Sequence, residues 1–153
     1  MYTLTKTFKE LTVNELYDIL QLRNQCFIVE QKVAYQDLDN FDKEGHHILL
    51  YDKWDNLVAY VRAINPGVRF KEPSCGRICV AESYRKSNHY DTVYDELMKL
   101  GDKLGYRVWR AVAQKQMYPI WKRKGWKKIK SLLKMELKVM KLFLGGNCEE
   151  EIS

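Results

Sequence analysis

Residues Val80–Met98 read VAESYRKSNHYDTVYDELM, and this stretch joins two different patterns. Ahead of it the apolar run RICV has strand character; behind it Val93, Tyr94, Leu97 and Met98 recur on one helical face. Between them the turn YRKSNHY is basic, polar and free of glycine. A strand that passes through a basic turn into a helix N-terminus is a common phosphate cradle, because the first N–H groups of a helix have no internal partner. Such turns usually rely on glycine, which lets the backbone come close to the anion. The turn therefore either holds a phosphate by other means or does a different job.

Outward from this stretch, the pattern is a mixture of strands and helices. YTLTKTF alternates as a first strand, and LTVNELYDILQLRNQCF opens with a Thr12–Glu15 capping box and continues with helical spacing. IVEQKVAYQDLDNFDKEG is a polar, acidic loop. HHILLYD and NLVAYVRAI, separated by KWD, predict a hairpin, and CGRICVAE a third strand of the same meander. The helix after the turn is predicted from about His89 to Leu104. YRVWRAVA then reads as a strand, KQMYPIWKRKG as a short helix stopped at Gly125, and WKKIKSLLKMELKVMKLFL as one or two final strands. This order predicts an α+β fold with a mixed, mostly antiparallel sheet, in which a crossover helix makes the strands near Ile78 and Val108 a parallel pair. One domain is expected over 1–144, with 145–153 as a flexible tail.

Composition narrows the class. The chain has 153 residues, 46% hydrophobic and 12% aromatic, as expected of a folded domain and unlike a disordered one. No apolar run approaches the roughly 18 residues a bilayer requires. The N-terminus MYTLTKTFKE carries no signal-peptide pattern, so a cytoplasmic location is expected. Cys26, Cys75, Cys79 and Cys148 form no CxxC pair and read as reduced, structural thiols. With only His46, His47 and His89 beside them, no metal is expected. The net charge of +6 favours anionic partners, and ten Lys/Arg residues against a single Glu fall between Lys115 and Lys141.

The run LRNQCFIVEQKVAYQDLDNFD, followed by HHILL, resembles the N-terminal signature of the ElaA-like branch of GNAT acetyltransferases. The matching residues are Leu22, Arg23, Phe27, Val29, Glu30, Gln31, Tyr35, Asp37 and Asp39, and looser likeness extends over about residues 5–130. The resemblance implies a GNAT-like (acyl-CoA N-acyltransferase) fold, in which splayed central parallel strands hold acetyl-CoA. It implies that the backbone of Ile78, Cys79 and Val80 pairs with the pantetheine arm. The turn Arg85, Lys86, Ser87, Asn88, His89 and Tyr90 would hold the pyrophosphate. The reaction would be direct attack of a primary amine on the acetyl thioester, with a base and an acid moving the protons.

Two departures from the family pattern stand out. Asn88 and Tyr90 occupy the glycine places of the pyrophosphate turn; Asn is the best substitute where φ is positive, whereas a ring at 90 threatens the phosphate position. Arg85 and Lys86 supply compensating charge. The second departure is Trp121, which stands where the family has its acid tyrosine; an indole donates a hydrogen bond but no proton near neutrality. Tyr118, one turn earlier, is the candidate replacement, against a purely packing role.

For the acceptor, Glu30, Asp37 and Asp39 are candidate amine ligands and His47 a candidate base; Asp42 fits either that role or a solvated loop. The same residue types also suit a solvated acidic loop and a structural strand-start histidine. A different class of function competes. Trp121 and Trp126 interleave with Lys122, Arg123, Lys124, Lys127 and Lys128, as in surfaces that bind nucleic acid or an acidic protein, so a GNAT fold without catalysis is the alternative. Monomer and homodimer both remain open, since a final strand with Leu137, Val139 and Leu142 offers an edge to a second copy.

Overall fold

Strands β1 (Tyr2–Thr7), β2 (Gly45–Tyr51), β3 (Leu57–Ile64) and β4 (Ser74–Val80) form an antiparallel meander. The computed structural model describes residues 1–113 and 117–126, and the backbone of the strands at 128–129, 132–134 and 139–144; side chains are described through 111 and over 117–126. The predicted tail at 145–153 lies outside the described residues.

The apolar alternation of β2 decides the layers. Ile48 and Leu50 face one cluster with Val93, Leu97 and Trp109, while Leu49 and Tyr51 face the other with Ile19, Leu22 and Cys26. Period two thus gives the sheet a helix on each face: α1 (Val13–Arg23) on one and α2 (His89–Lys103) on the other. The predicted capping box starts α1, with Thr12 Oγ1 accepting from Glu15 N–H at 3.1 Å and Thr12 N–H donating to Glu15 Oε2 at 2.8 Å. Gly101 lets α2 sit directly on Trp109, because a Cβ there would come within 2.8 Å of the indole.

α2 crosses to β5 (Val108–Ala113), which runs parallel to β4 as expected, and α3 (Tyr118–Arg123) follows with Pro119 in its first turn. Gly125 ends that helix at φ +86°. The final segment forms three short strands rather than one or two: β6 (Lys128–Ile129), β7 (Leu132–Lys134) and β8 (Val139–Leu144). The sheet order is β1-β2-β3-β4-β5-β8-β7-β6. Because β8 lies between β5 and β7, its residues Lys141–Phe143 are paired on both sides and offer no open edge to a second copy.

Candidate functional site

β4 and β5 are paired only at Ser74–Arg110 and Cys75–Ala111. Beyond Cys75 the two strands part, and the β5-facing edge of Gly76–Val80 has no strand partner among the described residues. The parting coincides with a bulge. Gly76 pairs with Arg62 and Cys79 with Tyr60, so Arg77 and Ile78 together oppose the single residue Val61. Arg77 sits at φ +57°, a left-handed conformation that strands avoid and bulges use. The bulge swings the Arg77 side chain out to Asp37, with Nε 2.7 Å from Oδ1, and to Asp39, with Nη2 3.3 Å from Oδ2. A splayed pair with a free strand edge is thereby held open at Ile78, Cys79 and Val80.

The edge leads into the basic turn and then into α2. Its first intrahelical bond runs from Thr92 N–H to Asn88 C=O at 3.0 Å, which leaves the N–H groups of His89, Tyr90 and Asp91 outside the helical ladder. The turn needs no glycine, because none of its residues has a positive φ and Asn88 itself sits at φ −85°. The expected left-handed role for Asn88 is therefore corrected: it is an ordinary N-cap position without a side-chain cap. Tyr90 does not block the turn either. Its ring packs against the α2-side core, and its hydroxyl is buried without a hydrogen-bond partner. Burial pushes that phenol well above its ordinary value. Lys86, Ser87 and Asn88 are exposed, and Ser87 Oγ closes the turn on Tyr84 C=O at 2.5 Å.

Arg85 turns back from this loop. Its Nε donates to the Val80 carbonyl at 2.9 Å, and its Nη2 donates to Glu30 Oε2 at 2.5 Å and lies 3.5 Å from Cys26 Sγ. The other Glu30 oxygen, Oε1, is buried and without a partner. Tyr84, the residue before Arg85, donates its hydroxyl to Asp52 Oδ2 at 2.7 Å.

The acidic loop is consumed differently from the sequence expectation. Asp37 meets Arg23 Nε at 2.9 Å as well as Arg77, and Asp39 takes both terminal nitrogens of Arg62 at 2.7 Å. Asp42 accepts from Arg23 Nη1 at 2.6 Å and Arg62 Nη1 at 2.7 Å. Burial raises the Asp39 and Asp42 carboxyls, but the arginines outweigh it and hold both below the usual carboxylate range. Three guanidinium groups thus neutralise three carboxylates, and Asp37 and Asp39 shape the loop instead of presenting free charge to an amine. Arg62 and Arg77 were invisible as site residues in the sequence, because their partners lie 20 to 40 positions away.

His47 is likewise reassigned. It is fully buried, with Nδ1 2.8 Å from the Tyr60 hydroxyl and Nε2 2.9 Å from the Asp42 carbonyl. A carbonyl only accepts, so Nε2 carries the proton and Nδ1 accepts from Tyr60. Burial depresses its basicity, and no ring nitrogen is left for a substrate proton. Trp121 and Trp126 are each 1% exposed and meet edge-to-face at 4.3 Å, so neither indole is available to stack on bases. Lys122 and Arg123 are exposed, whereas Lys124 lies 2.6 Å from Asp91 and ties α3 to α2; the side chains of Lys127 and Lys128 lie outside the described residues. Trp121 Nε1 is buried without a partner. Tyr118 is half-buried at the start of α3 against the same core.

No group of three or more metal-ligating side chains gathers among the described residues, and no helix among them is long and apolar enough to cross a membrane. No family model matches the chain. It is 44% identical over 78 residues to protein ElaA of Escherichia coli, a match that covers 50% of each chain. The chain spans about half the length of the first curated relatives it matches. Among solved structures it is similar to an acyl-CoA N-acyltransferase from Pseudomonas aeruginosa, with TM-score 0.79, 26% identity and coverage of 84% of this chain and 90% of the other. Escherichia coli ElaA is similar at TM-score 0.78 and 26% identity, covering 86% of this chain and 90% of that one. The splayed β4–β5 pair, the bulge beside it and these likenesses agree: the chain has the acyl-CoA N-acyltransferase (GNAT) fold and is similar to ElaA.

Proposed function

We propose that the chain transfers an acetyl group from acetyl-CoA to a primary amine. The observation that carries this reading is the free edge of β4 beyond Cys75, which runs straight into the uncapped N-terminus of α2. The backbone of Ile78, Cys79 and Val80 would pair with the pantetheine arm. The N–H groups of His89 and Tyr90, with Lys86 and Arg85, would hold the pyrophosphate, and the exposed Ser87 and Asn88 leave it room. Acetyl-CoA brings the activated thioester; the protein supplies position and proton transfer.

Of the candidate acceptor ligands, Glu30 is the one with an unsatisfied carboxylate oxygen. It orients the amine and takes its proton. Arg85 occupies the other oxygen, and a phosphate arriving in the turn competes for the same guanidinium. Tyr118 is the acid for the departing thiolate, and Trp121 Nε1, a donor that cannot protonate, supports it by hydrogen bonding.

The test is calorimetric titration with acetyl-CoA followed by an acetyl-transfer assay over a panel of amines. Saturable binding and turnover that drops with Tyr118→Phe are expected. Absence of binding at millimolar acetyl-CoA overturns the reading. Binding without turnover on any amine favours the alternative, a GNAT fold that has lost catalysis, for which the burial of Trp121 in place of a tyrosine is the supporting observation.

A further inference from the structure

α1 does not stop cleanly at Arg23. It widens into π-helical turns over Asn24–Val29, with Glu30 N–H bonded to Gln25 C=O at 3.0 Å. Such widened turns often mark functional positions. This one seats Cys26 against β4, where its thiol lies 3.6 Å from the Val80 carbonyl and packs in the same buried cluster as Cys79. Arg85 Nη2 lies 3.5 Å from the Cys26 sulfur. Neither sulfur has a part in acyl transfer as proposed above, and both cysteines are free.

We infer that Cys26 and Cys79 are a redox-active thiol pair, oxidised by hydroperoxides to a disulfide that ties the π-helical turns after α1 to β4. The two thiols are placed asymmetrically, which divides the labour between them. The neighbouring Cys79 thiol and the Arg85 guanidinium favour the Cys26 thiolate, against the opposing effects of burial and Glu30. Burial and the neighbouring Cys26 hold the proton on Cys79. Cys75 offers a contrast: it lies in the other core cluster, and burial alone keeps it a thiol. Cys26 is buried beneath Arg85, whose side chain is 41% exposed, so a peroxide would reach it on displacement of that side chain.

The chemistry balances with a hydroperoxide as oxidant. The Cys26 thiolate attacks one peroxide oxygen, the O–O bond breaks, and the departing alkoxide or hydroxide takes up a proton. Cys26 is left as a sulfenic acid. Cys79 then gives up its proton and attacks the Cys26 sulfur, and the hydroxyl leaves as water. Two thiols lose two electrons, and the peroxide gains them. The bridge draws Cys79, in the free-edge segment of β4, toward the π-helical turns, and it removes the sulfur from beside Arg85.

The experiment treats the full chain with hydrogen peroxide under otherwise native conditions, then counts free thiols and maps peptides without reduction. The expected result is a fall from four thiols to two, with the peptides of Cys26 and Cys79 linked. In Cys79→Ser, dimedone should trap a sulfenic acid on Cys26; in Cys75→Ser the bridge should form as in the unaltered chain. An unchanged thiol count, a bridge through Cys75 or Cys148, or a Cys26 that dimedone never labels overturns the inference. Peptide mapping of the unaltered chain decides the matter even where a variant fails to fold. Because no acyl-CoA is present, the outcome is independent of whether the chain proves to be an acetyltransferase.

Discussion

The Tyr84 hydroxyl donates to Asp52 Oδ2 at 2.7 Å and so fastens the turn after β4 to the turn of the β2–β3 hairpin. Asp52 also accepts from the Trp54 and Asn56 backbone N–H groups at 2.8 and 3.0 Å, which shapes the hairpin turn itself. Burial raises this carboxyl, but the donors from Tyr84, Asn56 and Trp54 outweigh it and hold the group well below the usual carboxylate range. One side chain therefore positions two turns, and the second of them is the proposed phosphate site.

Tyr84→Phe removes that fastening without touching the ring packing. The melting temperature is expected to fall modestly, by about 2–4 °C for a chain of this size. Acetyl-CoA affinity should fall by about three- to tenfold, the size of one ordinary hydrogen bond, since the turn is loosened without losing a direct contact to the ligand. Thermal melts and calorimetry on the same sample check both, and unchanged affinity would detach Asp52 from the site.

Arg62 is 1% exposed and bridges Asp39 and Asp42. Arg62→Met leaves the buried Asp42 and the half-buried Asp39 short of a partner, and breaking a buried pair typically costs about 3–5 kcal/mol. Urea unfolding should show an unfolding free energy lowered by that amount, read as a lower midpoint with an unchanged slope. A shift below about 1 kcal/mol would mean that the loop network is solvated and contributes little, as surface ion pairs do.

The neutral, buried His47 sets a pH dependence. Its folded value lies below the ordinary one of about 6.5. As the pH falls through about 6.5 the unfolded chain gains a proton that the folded chain refuses. Stability therefore falls with falling pH in that window, by at most about 1.4 kcal/mol per pH unit for one proton, and is fully present above it. Asp39 and Asp42 act in a lower window: their contribution is present above the usual carboxylate values and is lost as the pH falls below them. Melts of the protein and of His47→Gln between pH 7.5 and about 5 separate the two, since only the first slope should flatten in the variant.

Much of this arrangement was legible in the sequence where it depends on local chemistry. The Thr12–Glu15 box, the strand–turn–helix at Val80–Met98 and the stop at Gly125 each follow from neighbouring residues. What could not be read depends on distant partners. Nothing near Asp37 or Asp39 announces that Arg23, Arg62 and Arg77 will take their charge, and an arginine at φ +57° has no local signature. Trp121 and Trp126 looked like a basic-aromatic surface because their spacing is informative only once the turn at Gly125 folds both indoles inward. The turn without glycine resolves the same way. It dispenses with positive φ, so glycine is not required, and its tyrosine goes into the core.

Glu30 and Arg85 give the sharpest prediction, because one substitution should move binding and turnover in opposite directions. Arg85 is held by Glu30 Oε2 at 2.5 Å and by the Val80 carbonyl at 2.9 Å. Glu30→Gln removes the charge that keeps the guanidinium turned away from the phosphate turn while preserving size and hydrogen-bonding reach. Arg85 is then freer to meet a phosphate, and acetyl-CoA should bind more tightly, by about two- to tenfold, in keeping with an ion pair near the surface. The amine loses its base, so turnover should fall by about 10²–10⁴. Calorimetry and initial rates at saturating acetyl-CoA measure the two effects separately. Weaker acetyl-CoA binding together with a lower rate would mark Glu30 as a support for the turn; tighter binding with an unchanged rate would leave the competition for Arg85 in place and remove Glu30 from proton transfer.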